Sequence, residues 1–186
     1  AWRAYRADTL PSGWRVADGM LTKSGVTGDI VTREQYGDFE LDFEWRIARG
    51  GNAGVFYRAT EEDERVYWTG PEYQLLDDAN ARDGANRLTA AGAAYGLYPA
   101  PAGVVRPAGE WNTARIVVRG DSVEHWLNGT RTAAYAFRSP DWEARVKASK
   151  FGEWPRYGRA ARGHIAIQGD HDGDLALRNV RIRELP

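Results

Sequence analysis

The sequence predicts an all-β fold, a single antiparallel sandwich, on three observations. Apolar and polar residues alternate at the two-residue period of a half-buried strand in several segments, turn residues separate those segments, and helical periodicity is scarce. No strand–helix–strand spacing recurs, which favours antiparallel over parallel pairing. At 186 residues and 42% apolar content the chain can bury one sizeable core, so length favours one domain over 1–186.

The elements follow in order. Phe39, Leu41, Phe43 and Trp45 interleave with Glu40, Asp42, Glu44 and Arg46 between Tyr36-Gly37-Asp38 and Arg49-Gly50-Gly51, the pattern of a long half-buried strand. Segments 53–59 and 72–76 read as strands separated by a solvated loop over 60–65. The tract 80–107, rich in Ala, Gly and Pro, reads as long irregular connections, which in a compact domain tend to be functional. Segments 113–119 and 122–127 flank Gly120-Asp121 as a hairpin, and Asn128-Gly129 is a strong turn signal before a strand near Arg131. The best short helix is 140–150. Strands over 163–168 and 175–183 close the chain, with a bulge expected where Asn179 breaks the alternation.

Composition excludes several classes. With 25 basic and 26 acidic residues the net charge is -1, which gives the whole chain no footprint for nucleic acid or an anionic membrane. No apolar run approaches the roughly 20 residues of a membrane-spanning helix. The absence of cysteine removes disulfides, thiolate metal sites and a Cys nucleophile. A start at Ala1 fits a processed export signal or a trimmed chain, and a secreted or periplasmic bacterial setting is expected. No Ser-His-Asp order, phosphate-cradling glycine loop or dinucleotide fingerprint is present.

The candidate chemistry lies on strands 53–59 and 72–76. Asn52, Arg58, Glu72 and Gln74 form a polar row of an amide, a guanidinium, a carboxylate and a second amide, an assortment that suits a polyhydroxylated ligand. Competing structural roles are a turn for Asn52, an ion pair with Glu44 or Glu72 for Arg58, and ordinary sheet-face pairing for Glu72 and Gln74. Asp77 is off the parity of Glu72 and can simply end the strand with Asp78. The loop Asp170-His171-Asp172-Gly173-Asp174 can present a proton shuttle at His171. Alternatively, Asp170 and Asp172 can hold Ca²⁺, Mn²⁺ or Zn²⁺, although no cofactor is required. Trp68 and Tyr98, in loops, are the candidate sugar platforms, and Trp111 and Trp126 read as core.

The blocks Gly37–Leu41, Gly51–Arg58, Glu72–Asp77, Ala94–Tyr98, Gly109–Thr113, Leu127–Gly129, Ser149–Phe151, Gly163–Gln168 and Arg178–Ile182 occur in this order along nearly the whole chain. In them the chain resembles the family long called DUF1080, the 3-keto-disaccharide or 3-keto-glycoside hydrolases. The family commonly has Ser where Ala53 stands, and often Gln-Asp-His-Gly where this chain reads Gln168-Gly169-Asp170-His171-Asp172-Gly173. The resemblance implies a concanavalin A-like jelly roll of two curved antiparallel sheets, and a reaction on glycosides already oxidised to a ketone at ring carbon 3. It lifts Lys150, in the Ser-Lys-Phe block, above an ordinary surface lysine.

Such a reaction removes the acidified C2 hydrogen, eliminates the C1 substituent and adds water to the enone. It needs a base, donors for the enolate oxygen and an acid for the leaving group. Glu72, Lys150 and His171 are the catalytic candidates, and Asn52, Arg58, Gln74, Asp77, Trp68 and Tyr98 the substrate-binding ones. A sugar 3-dehydrogenase is the expected functional partner, since the ketone needs a source. The alternative is a non-catalytic, lectin-like carbohydrate-binding module. An endo-glucanase, with two carboxylates about 5.5 Å apart, fits poorly because Glu40-Leu41-Asp42-Phe43-Glu44 has the spacing of a solvent face.

Overall fold

The alternating segment becomes the centre of the larger sheet. In the computed structural model, which describes residues 1–186, strand β5 spans Phe39–Ile47, burying its apolar members and leaving Glu40, Asp42, Glu44 and Arg46 outside. The other strands are β1 (Trp2–Ala4), β2 (Trp14–Ala17), β3 (Met20–Lys23), β4 (Ile30–Thr32), β6 (Asn52–Ala59), β7 (Glu72–Leu76), β8 (Asn112–Arg119), β9 (Ser122–Leu127), β10 (Thr130–Ala136), β11 (His164–Ile167) and β12 (Leu175–Glu184). They form a five-stranded sheet, β1-β4-β11-β6-β7, packed on a seven-stranded sheet, β10-β9-β8-β5-β12-β3-β2. Every pairing is antiparallel, and the architecture is a jelly-roll sandwich.

The expected turns and the bulge are present. Asn128 and Gly129 take positive φ, +48° and +80°, between β9 and β10, as a two-residue hairpin of matching twist requires. The β12–β5 register shifts between Arg178 and Arg181, where Asn179 has φ +51°. Strands β1 to β4 lie where no strand was expected: each has only three or four residues, too few for a period to show.

Between the sheets the core is aromatic. Phe43 meets Tyr73 edge-on at 5.8 Å, linking β5 to β7. Trp111 and Trp126, expected in the core, instead lie half-buried on the outer face of the larger sheet; the Arg178 guanidinium sits 4.0 Å over the Trp111 ring. On that face Arg115 pairs with Asp42, Arg178 with Glu44 and Arg183 with Glu40, so these carboxylates belong to a solvated ion-pair lattice.

The smaller sheet departs from the apolar-in, polar-out expectation. All five residues of β7, and all of β6 except Asn52, are buried or nearly so. One face meets the core, while the other is covered by Phe56, Ala59 and Val66 packed with Val31 and Ala166. The open edge of β7 is closed by the irregular tract after it: Gln74 N–H donates to Ala93 O, Gly92 N–H to Gln74 O and Tyr95 N–H to Glu72 O.

Three expected ligand contacts are absorbed by this packing. Arg58, 3% exposed at φ +49°, donates to Gly37 O, Gly120 O and the Asp38 carboxylate, and lies 5.3 Å from the Phe137 ring. Gln74 donates Nε2–H to Thr89 O, tying the covering tract to β7, while its Oε1 is buried without a donor. Tyr98 stacks on Tyr135 at 4.8 Å and donates to Asp141.

Helix α1 (Pro140–Ala148) has Ser139 accepting from Trp142 N–H, Pro140 in its first turn, and Trp142 and Val146 buried. Replacing Arg58 with Met removes a buried guanidinium that holds Gly37 O, Gly120 O and the Asp38 carboxylate together, and is expected to cost about 2–4 kcal/mol. The measurement is the urea midpoint, and a loss of ligand affinity without a loss of stability would contradict the structural role.

Candidate functional site

The pairing of β6 with β7 places Gly54 opposite Gln74 and Phe56 opposite Glu72. The Glu72 side chain lies over Gly54, where any Cβ would collide with its carboxyl oxygen. Around this carboxyl is a cavity of about 220 Å³ lined by Asn52, Tyr67, Glu72, Asp83, Tyr95, Lys150, Gln168, Asp170 and His171. A larger depression of about 470 Å³ on the other sheet, bordered by Thr22, Arg46 and Asp174, gathers no comparable set of proton-transfer groups.

Glu72 is 7% exposed, and its carboxyl accepts no hydrogen bond from the protein. Burial pushes it up to about 8; Lys150 opposes that rise, and the carboxylates of Asp29, Asp170 and Asp83 add to it. Lys150 follows α1. Ser149 caps the turn by accepting from Phe151 N–H, and Phe151 is pinned by stacking at 4.2 Å on Tyr157. Its ammonium lies 5.0 Å from the Tyr95 ring centre and 5.7 Å from that of Tyr67, with no carboxylate in ion-pair contact.

Gln168 follows β11; its N–H donates to Gly54 O, the residue is 8% exposed, and its side-chain oxygen has no partner. A buried acceptor without a donor, on the wall of a cavity, is a ready contact for a hydroxyl or water. Asn52 opens β6, half-buried on the same wall. Asp170 and His171 stand exposed at the mouth, 3.9 Å apart.

Asn52, Glu72, Lys150, His171 and Asp170 are thus brought together from four segments. Arg58, Gln74, Asp77 and Tyr98 do not line the cavity, and Asp77 is occupied in accepting from Gly50 N–H and Asn80 Nδ2. Trp68 does not line the cavity either; it stacks on Trp154 at 5.7 Å, and Trp154 meets the lining residue Tyr67 at 5.6 Å. Tyr67, Asp83, Tyr95 and Gln168 escaped the sequence reading as site residues. The first three lie in turns and loops where no alternation marks a face.

Asp172 accepts from Gly173 N–H, and no group of three or more His, Asp or Glu side chains is placed to share a metal ion. Because the Glu72 carboxyl is raised, folding stability attributable to it is full below pH 4.5 and falls as pH rises toward about 8. Thermal melts should therefore show Glu72→Gln gaining on the parent across that window, with a constant gap above it. A pH-independent difference would mean the carboxyl titrates normally.

Residues 1–183 match the family described as the 3-keto-alpha-glucoside-1,2-lyase-like domain. A 3-keto-disaccharide hydrolase of Bacteroides thetaiotaomicron is 32% identical over 216 aligned positions, covering 99% of this chain and 74% of that protein. The crystal structure of a candidate glycosyl hydrolase from Parabacteroides distasonis superposes with a TM-score of 0.92 at 33% identity, covering 100% of this chain and 88% of that one. The carbohydrate-binding module CBM66 of Bacillus subtilis is similar in fold alone, with a TM-score of 0.58 at 12% identity over 98% of this chain and 95% of its own. By its match over nearly the full length and its identity to the Bacteroides hydrolase, this chain belongs to the 3-keto-alpha-glucoside-1,2-lyase-like family.

Proposed function

We propose that this protein is a glycosidase-like hydrolase that cleaves glycosides carrying a ketone at C3, by elimination and hydration at the Glu72 cavity. The observation that carries this reading is the Glu72 carboxyl: buried, free of protein hydrogen bonds, raised to about 8, and in one cavity with the unpaired Lys150 ammonium. A carboxylate of that basicity is a stronger base than an ordinary one toward a carbon acid, and about a tenth of it is ionised at pH 7.

In the proposed sequence the Glu72 carboxylate removes the C2 hydrogen and the electron pair moves to the C3 oxygen as an enolate beside the Lys150 ammonium. The carbonyl re-forms, a C1=C2 double bond appears and the C1–O bond breaks, its oxygen taking a proton from His171. Water then adds its oxygen to C1 and returns its proton to His171, while Glu72 returns the abstracted proton to C2. The sum is hydrolysis, and both groups end as they began. Asn52 and Gln168 bind ring hydroxyls, and the wall of Tyr67, Trp68 and Trp154 receives the leaving group by stacking. Because the C2 hydrogen is acidic only beside a ketone, an oxidation of the sugar at C3, the work of a sugar 3-dehydrogenase, must precede this step.

Release of 3-keto-glucose from a 3-keto-glucoside is the test, with the unoxidised parent as control. Only the keto substrate should be cleaved, and the kcat/KM profile should carry a titration near pH 8 from the Glu72 carboxyl. A profile with no titration in that region would remove the Glu72 carboxyl as the base. Glu72→Gln should lose about 10²–10⁴ in kcat, and unchanged turnover removes Glu72 from the mechanism. Binding without cleavage of either sugar would make the protein a lectin-like module.

A further inference from the structure

Lys23 is a buried cation without a carboxylate partner. At the end of β3, 1% exposed, it donates its three ammonium hydrogens to Gly25 O, His171 O and Gly173 O at 2.7, 2.7 and 2.8 Å. A buried ammonium is costly to desolvate, and for packing alone a methionine at this position would serve. What the ammonium adds is a hold on residues 170–173. No other hydrogen bond from outside the segment reaches their backbone; the nearest ties flank it, at Gly169 to Thr27 and Asp29 and at Asp174 to Ala48.

The His171 ring has no anchor of its own, since its closest charged neighbour, Asp170, is 3.9 Å away and equally exposed. Its place at the cavity mouth is therefore set by its backbone, and the backbone by Lys23. The two inward carbonyls of this acidic loop are engaged by the ammonium, which does there what a bound cation would do.

We infer that Lys23 is a positioning residue that acts through His171, holding the imidazole where the leaving-group oxygen departs. The inference rests on the elimination pathway proposed above and adds to it a residue from the opposite sheet, outside the cavity.

A double-mutant cycle on a 3-keto-glucoside tests it, with Lys23→Met and His171→Ala made singly and together. His171→Ala should lower kcat about 10²-fold, and Lys23→Met about tenfold with KM little changed. In the His171→Ala background Lys23→Met should cost nothing further. With a nitrophenyl leaving group, which departs without a proton, the Lys23→Met loss should shrink.

Equal losses in both backgrounds, or a loss independent of the leaving group, would overturn the inference and leave the elimination reading in place. A fully active His171→Ala would remove His171 from that reading and Lys23 with it. Should Lys23→Met fail to fold, Lys23→Gln, which keeps two N–H donors without the charge, is held to the same non-additivity.

Discussion

The site depends on one constraint, the register of β6 against β7. With Gly54 opposite Gln74, the glycine leaves open the space into which Glu72 folds its carboxyl. A slip of one residue would exchange the faces of the strand, sending Glu72 away from the cavity and Tyr73 out of the core. Tyr73 resists that slip: it packs on Phe43 and donates to Trp126 O across the sandwich. The same pairing that secures the core thus delivers a carboxyl into a place where water is scarce.

A lone pair of strands would not bury that carboxyl enough to alter its chemistry. The remaining enclosure comes from chain without regular structure. The tract after β7 bonds along its free edge and sets Tyr95 beside Glu72, while the 3-10 turn Val66–Trp68 covers the outer face and presents Tyr67. Helix α1, anchored by the stack of Trp142 on Tyr135 and Tyr157, ends where Lys150 has to stand. Aromatic packing is well suited to this task because it fixes direction as well as distance.

Two buried cations show how the fold uses charge away from solvent. Arg58 bridges Gly37 and Asp38 with Gly120, and so joins two turns at one end of the sandwich. Lys23 bridges Gly25 with the loop of His171 at the other. Each buried cation is satisfied by backbone carbonyls of the turns it joins. The exposed pairs of the outer face, such as Arg115 with Asp42, contribute little by comparison because both side chains remain in water.

Local pattern alone determined most of the architecture: the long strand β5, the hairpins at Gly120 and Asn128, the bulge at Asn179 and the helix after Ser139. These are legible because periodicity, turn chemistry and capping act between neighbours in the chain. Together with the family motifs, it also singled out Asn52, Glu72, Lys150 and His171, which the fold gathers in one cavity. Alternation reports which face a residue occupies and not what meets it there, so Arg58 reads as a ligand contact, whereas the packed chain meets it with Gly37, Asp38 and Gly120. Only the tertiary structure decided between a polar group satisfied by the protein and one left open for substrate. Arg58 finds a carbonyl 62 residues away and Lys23 finds its own 148 and 150 residues away, while Glu72 finds no donor at all. Hydrogen bonding across such separations is a property of the packed chain, and no window of sequence contains it.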